Sequence, residues 1–446
     1  MNMHTLPRAW ERGRGNLSVS LPLIYPRRIA LAAMFIMTAR AFYYFPGMSG
    51  PSELWNVLCF LFLCFVYLSW KVKNGGRFTG LEIYVLIMML IAPIWSGVMA
   101  QQVFGQPFFD GLLSQRSIIC GVGALALLLF YRAGWINSED CRQGFLIPAW
   151  LTLVSYTFFT IVMGAGESSS ANEPTLKFFW GYIQIGFFYY GLIGFNKKSK
   201  IHYGLSALFL IYLISTGQRA MLLTTLGTYG LFVLVRGSFA RLMVFIPASM
   251  CGIAALVGIF YIINPGFTTD LAVRIGEAVT VVTTGQKTAD VSANARLKET
   301  AMATPYVSQS LLLGNGNISN HWKGGYSGVI GRFYPTDIGL IGAVYVYGIL
   351  GTLLFIIQFW WARRYAKGAS QGVNTEPMAD AIMAYLISYL VLSTTTGSFV
   401  FNFQSGVLAI MYLYIVSDET KAKAARRRPT GSRSLNAGLW GLQNRS

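Results

Sequence analysis

The sequence predicts an all-α polytopic membrane protein with about 12 transmembrane helices and one large extracytoplasmic loop. Three observations predict it. The chain is 54% hydrophobic and only 12% charged, with a mean hydropathy of +0.50. Apolar runs of about 20 residues, the length that crosses a bilayer core, recur along it. Lys and Arg gather in short clusters between those runs, where they set orientation, so the formal charge of +18 implies topology and no nucleic-acid partner.

Taken in order, residues 1–28 form a polar, basic cytoplasmic segment, and the first apolar run reads as an anchor rather than a cleavable signal peptide. Spans are expected near 29–45, 53–70, 80–100, 117–132, 144–163, 178–195, 201–215, 220–235 and 242–263, making residues 29–263 a block of nine transmembrane helices. Residues 264–336 are the longest segment too polar for hydrocarbon. Three more spans follow within 337–416, near 337–361, 379–397 and 400–416, and residues 417–446 form a basic cytoplasmic tail held near anionic lipid. With the N-terminus inside, PRR (26–28), KVKNGGR (71–77), NKKSK (196–200), ARRYAK (362–367) and RRR (426–428) all fall on the cytoplasmic side. Both termini are then cytoplasmic and the 264–336 loop faces outward.

Several features have ordinary explanations. Arg40 snorkels to the outer interface, Glu82 sits at the inner end of its span, and clusters such as FYYF (42–45) match interfacial belts. GVG (121–123) lies in an apolar run without a strand before it, so it is no phosphate loop. NIS (317–319) fits the N-glycosylation pattern, which short stretches match by chance. The five cysteines avoid the long loop, and no disulfide framework is expected. No internal repeat is evident.

Four stretches carry chemistry. STGQRAM (215–221) joins two spans as a tight hairpin with Arg219 at its outer tip, where a guanidinium can bind phosphate oxygens bidentately. SANARLKETAM (292–302) reads as a short helix capped by Ser292 and carrying Arg296, Lys298 and Glu299. If Arg296 faces the same cavity as Arg219, two positive charges converge just outside the bilayer. LLLGNGNISNHW (311–322) ends an ordered element in a tight turn at Gly314 and Gly316, followed by His321, the one histidine expected outside the cytoplasm and a candidate proton acceptor. GRFYPTDIGLIGAVYVYGILG (331–351) returns the chain to the membrane: Pro335 halts the loop, Thr336 or Asp337 caps the span, and glycines 339, 342, 348 and 351 permit close packing. Asp337 could also orient a hydroxyl or act as base. No zinc set is present, and no spacing suggests a carboxylate metal site among Asp270, Glu277, Asp290 and Asp337.

The GQR hairpin, the ARL segment, LGNGN and DIGLIG…YGILG together resemble the O-antigen polymerase and O-antigen ligase superfamily, bacterial inner-membrane glycosyltransferases of the GT-C type. That resemblance implies an inverting, metal-independent enzyme with no cofactor, using an undecaprenyl-pyrophosphate-linked oligosaccharide as donor and a growing polysaccharide as acceptor, among membrane lipids and beside chain-length regulators and export proteins. It makes Arg219 and Arg296 the pyrophosphate-binding residues, with His321 or Asp337 as the catalytic base. The ligases usually carry a histidine followed by Asn shortly before the returning helix; here FYPTD (333–337) stands there. That departure favours polymerisation of repeat units over ligation to an acceptor. A transporter or flippase of the same lipid-linked sugar is the rival of another class.

Overall fold

The computed structural model describes residues 24–38, 49–74, 76–162, 180–215, 219–236, 291–369, 376–396 and 404–427, with isolated residues between 258 and 284. Those residues are all-helical, with no strand among them. The helices are α1 (Ile24–Thr38), α2 (Ser49–Lys73), α3 (Gly80–Phe104), α4 (Phe108–Ser114), α5 (Arg116–Arg132), α6 (Ser138–Val162), α7 (Trp180–Lys197), α8 (Lys200–Ser215), α9 (Arg219–Arg236), α10 (Val291–Gln309), α11 (Gly325–Val329), α12 (Gly339–Ala369), α13 (Pro377–Thr396) and α14 (Gln404–Arg427). Helices coincide with eleven of the expected apolar segments. The remaining one, 242–263, lies mostly outside the described residues, as do Arg40, FYYF (42–45), Asp270 and Asp290.

Among the described residues, four helical stretches are long and apolar enough to cross a membrane: Glu53–Lys73, Gly80–Phe104, Pro335–Ala369 and Pro377–Thr396. A fifth arises if α4 and α5, bent by 59° at Gln115, count as one span. The outward surface of α2 is apolar, with Leu58, Phe62 and Phe65 all exposed. Such a face needs a hydrocarbon neighbour, consistent with a membrane protein. By contrast α14 runs through the interior, with Val407–Val416 almost wholly buried, except for the half-buried Tyr414, against α12, α13 and α6.

Inter-helix polar contacts fix the directions of the helices. Gln184 donates to Thr225 Oγ1 at 2.6 Å, and Tyr229 donates to the Gly191 carbonyl at 3.0 Å, so α7 and α9 run parallel. Gln184 also donates to Ser388 at 3.3 Å, while Tyr189 lies within electrostatic reach of Glu376, so α13 runs opposite to both. The start of α9 at Arg219 therefore shares one end of the bundle with the last turn of α13. Gly339 presses on that turn, because a Cβ there would lie 2.2 Å from the Thr394 carbonyl oxygen.

The opposite end is a belt of ion pairs. Glu82 is fully buried, and its carboxylate takes Lys71 Nζ at 3.1 Å, Arg132 at 2.9 Å, the Tyr67 hydroxyl and the Thr79 backbone N–H. It also closes a capping box with Thr79 at the start of α3. The sequence expectation of an interfacial Glu82 is thus refined: two cations and a cap neutralise it inside protein rather than water. Arg28–Asp140, Ser138–Glu419 and Tyr131–Asp418 extend the belt across α1, α6, α5 and α14.

The most unusual element is the break in α12. Gly348 adopts φ +67°, ψ −179°, a conformation essentially restricted to glycine, in the middle of an apolar helix. The break frees backbone groups on both sides, which cannot be left bare in an apolar bundle. The segment 311–316 supplies the partners. Asn315 and Gly316 donate to the Tyr345 and Val346 carbonyls at 2.7 and 3.0 Å, while Ile349 and Leu350 donate to the Leu311 and Leu312 carbonyls at 2.9 and 3.3 Å. This is why LGNGN needs its glycines: Gly314 and Gly316 have φ near +80°, and a Cβ on Gly316 would sit 2.2 Å from the Ser96 carbonyl oxygen of α3. The segment 311–316, the strap, thus meets α3 at Ser96, a rise of about 21 Å along the helix from Glu82.

Candidate functional site

The end of the bundle away from the ion-pair belt is built from α10, the strap, α11 and a 3-10 turn at Pro335–Ile338 that precedes α12. The strap continues into a network that locks this end to α3 and α4. Asn317 N–H donates to Ser96 Oγ at 2.9 Å, its side-chain amide donates to Ser114 Oγ at 2.8 Å, and Gln106 bonds both the Asn317 carbonyl and the Ser319 N–H. Tyr326 donates to Asn317 Oδ1 at 2.9 Å, and its ring packs with Phe333 and Tyr345. Both ends of the Asn317 side-chain amide are thus engaged within the fold.

On one side of this aromatic stack stands a charge cluster. Glu299 of α10 is 6% exposed; it accepts the Tyr334 backbone N–H, and its Oε2 has no hydrogen-bond partner among the described residues. Burial, then the nearby charge of Asp337, push its pKa up to about 7, against the pull of the Tyr334 N–H, Arg296 and Arg332. A carboxyl so poised can hold or accept a proton near neutral pH. Arg296 and Glu299 sit three residues apart on α10 and so share a face. Ala303, further along the same helix, is fully buried, so packing fixes that face inward.

On the other side lies an open recess of about 240 Å³ lined by Glu53, Ser114, Arg116, Ser117, Ser319, Asn320 and His321. Arg116 engages the Glu53 carboxylate through both Nε and Nη2, while His321 is exposed beside it.

The structure thus brings Arg296 and Asp337 together around Glu299 and puts His321 in a separate recess. Arg219 opens α9 at the same end of the bundle; only its backbone is described. Two local expectations change. Ser292 lies inside α10, which already includes Val291, rather than at its N-cap. Asp337 does not cap α12, because Gly339, with φ +63°, turns the chain between them; its carboxylate instead accepts the Thr336 hydroxyl at 3.3 Å. Sequence reasoning named Glu299 without a role and missed Arg332, Glu53 and Arg116. The Arg296–Glu299 spacing was the available signal; nothing local marked Glu53 and Arg116, which are 63 residues apart. Among the described residues no group of three or more His, Cys, Asp or Glu could hold a metal ion. Comparison with protein-family models, curated proteins and solved structures finds no match for this chain.

Proposed function

We propose that this chain is a bacterial inner-membrane glycosyltransferase that polymerises lipid-linked oligosaccharide repeat units into an exopolysaccharide or O-antigen. The observation that carries the reading is the group Arg296, Glu299, Arg332 and Asp337, seated at the end of an apolar helical bundle opposite the ion-pair belt. Arg219 begins α9 at that same end. In this reading the chain crosses the membrane twelve times, both termini and the belt face the cytoplasm, and the polar segment 264–336 meets a donor already flipped outward. The gathering of basic residues at the belt end supports that orientation.

The donor is an undecaprenyl-pyrophosphate-linked sugar whose pyrophosphate is held by Arg219 and Arg296, with Arg332 as a third donor of hydrogen bonds. The acceptor hydroxyl oxygen forms a bond to the anomeric carbon as the bond to the pyrophosphate oxygen breaks, with inversion. The hydroxyl proton passes to a carboxylate, and the leaving pyrophosphate takes the electron pair. Glu299 stands beside His321 and Asp337 as the base: its pKa near 7 matches the working range, and its Oε2, without a hydrogen-bond partner among the described residues, has acceptor capacity. Asp337 keeps that pKa high and orients the acceptor. Most of the acceleration comes from positioning and from stabilising charge on the leaving group.

The break in α12 favours a second reading, since transporters bind cargo at broken helices. Here, though, two carbonyls and two N–H groups freed by the break are taken by residues 311–316, and are not available to an ion or substrate. The test is to delete the gene and identify the lipid-linked sugar that accumulates. Single repeat units exposed at the outer face support the polymerase. The same units trapped inside indicate a flippase, and finished polymer left on its carrier indicates a ligase. Arg219→Ala should abolish polymer while the protein stays in the membrane, and normal chain lengths would refute its role.

A further inference from the structure

Beyond the Gly348 break, the outward face of α12 changes character along its length. Leu350, Leu353, Ile357, Trp360, Arg364 and Lys367 recur at alternating steps of three and four residues, so they form one stripe on the helix, and all six are exposed. From Leu350 to Trp360 the stripe is apolar. It rises about 15 Å over that stretch, the depth of one leaflet of a hydrocarbon core about 30 Å thick. It then passes through the Trp360 indole to two cations, with Arg363 exposed beside them. Among the described residues no carboxylate pairs with Arg363, Arg364 or Lys367, because those of the belt are engaged elsewhere: Glu82 by Lys71 and Arg132, Asp140 by Arg28, Glu139 by Arg142. The ground under Arg364 is firmly built. Its guanidinium carbon lies 5.5 Å from the Trp360 ring centre and 5.4 Å from that of Trp361. Trp361 is itself stacked on Tyr365 at 5.7 Å and meets Tyr84 of α3 at 6.1 Å, and the Tyr84 hydroxyl ties α3 to α12 by donating to the Leu354 carbonyl at 2.8 Å.

A guanidinium resting on indole faces is held in place while its N–H groups stay able to bind phosphate oxygens in pairs. A soluble anion would use the cations alone. An apolar stripe one leaflet deep that runs directly into them matches an acyl chain joined to a phosphate. We infer that this face of α12 binds an anionic glycerophospholipid, with its phosphate on Arg364 and Lys367 and an acyl chain along Leu350–Trp360. Charge sets the selectivity: three cations without carboxylate partners favour a headgroup of net negative charge, whereas a zwitterionic headgroup brings its own cation against them. The outward face of α2 at Leu58, Phe62 and Phe65 is equally apolar and exposed but carries no cation among those residues, so it represents ordinary contact with lipid chains. The inference goes beyond the polymerase reading and does not rest on it.

The test reconstitutes the full-length protein in phosphatidylcholine vesicles containing a trace of photoactivatable phosphatidylglycerol or, separately, of photoactivatable phosphatidylcholine with the reactive group at the same acyl position. Mass spectrometry maps the cross-linked residues, and labelling of the α12 stripe is read relative to labelling of α2 around Leu58–Phe65. Each cation near a membrane surface favours an anionic headgroup by about fivefold in affinity. The relative labelling of the stripe should therefore be at least about fivefold higher with phosphatidylglycerol than with phosphatidylcholine. Arg364→Gln combined with Lys367→Gln, both at exposed positions, should remove most of that preference while α2 is labelled as before, and Arg364→Lys should keep most of it. Equal relative labelling by the two lipids, or an undiminished preference in the double variant, would overturn the proposal. So would loss of the preference on adding inorganic phosphate at unchanged ionic strength, which would mark a soluble anion as the occupant. Cross-linking is read without turnover, so these outcomes are distinct from failure of the polymerase reading, which the accumulated lipid-linked sugar reports.

Discussion

Glu299→Gln is expected to make the protein more stable and less active at once. The Glu299 carboxyl is buried, has an unpartnered oxygen, and titrates at about 7 instead of 4.5. Since its folded pKa lies above the unfolded value, the native state holds the proton more tightly. That contribution to stability is fully present below the unfolded pKa and is lost as pH rises through about 7. A gap of that size corresponds to a penalty of roughly 3 kcal/mol on the folded state once the group is ionised. Glutamine fills the same space, can still accept the Tyr334 N–H, and carries no charge. Glu299→Gln should therefore gain up to roughly 3 kcal/mol at pH 8 and almost nothing near pH 4. Thermal unfolding in lipid-supplemented detergent at the two pH values measures this difference. Loss of the base should lower polymer formation by about 10²- to 10⁴-fold, and the wild-type rate should rise with pH and level off above about 7. A variant that is less stable at pH 8, or whose stability change is the same at both pH values, would refute the description of the cluster. A variant with full activity would remove Glu299 from the chemistry.

Three further outcomes follow from the same contacts. Gly348→Ala puts a side chain 2.2 Å from the Leu312 carbonyl oxygen, in a backbone conformation that costs about 1–3 kcal/mol, and endangers four hydrogen bonds worth about 0.5–1.5 kcal/mol each. It should leave little folded protein by size-exclusion chromatography, whereas Gly227→Ala, which meets nothing within 4 Å, should behave as wild type. Glu82→Ala strands Lys71 and Arg132 and should cost about 3–5 kcal/mol, read as a lowered unfolding midpoint in the same detergent. Arg332→Ala should lower polymer output by roughly tenfold to a hundredfold and raise the pH at which activity levels off, since Arg332 now holds the Glu299 pKa down.

How much of this was legible depended on the range of the interaction. Apolar runs and basic clusters are local, and they marked segments that the helices α1–α3, α5–α9 and α12–α14 occupy, while the short α4 went unmarked. Pro335 halted the loop as expected, and Gly314 with Gly316 made the expected tight turn. What the glycines turned towards was not legible. Gly348 read as one of several small residues allowing close packing, yet it breaks the helix, because its partners Leu311–Gly316 lie more than 30 residues away. The same limit applied to the site. Histidine attracts notice as a proton acceptor, but His321 stands exposed in a separate recess, whereas Glu299 acquires its raised pKa only when α10 packs beside the turn carrying Asp337.

The break at Gly348 and the charge cluster are two parts of one solution. A polar segment placed on an apolar bundle has few ways to be held still, because the helices beneath it offer no free backbone groups. Breaking α12 exposes four such groups within the apolar layer, where each unmet one costs several kcal/mol. The strap that satisfies them is thereby fixed more firmly than a surface loop. It in turn fixes α10, through Asn315 Nδ2 to the Tyr306 carbonyl at 3.1 Å, and the His321 recess, through Asn317 and Ser319. A strain of about 1–3 kcal/mol at one glycine therefore sets the position of both polar sites. It follows that substitutions in the strap should disturb both the Glu299 pH profile and the accessibility of His321, read as its rate of modification by diethylpyrocarbonate. If strap variants separated the two effects, the sites would have to be held by independent contacts.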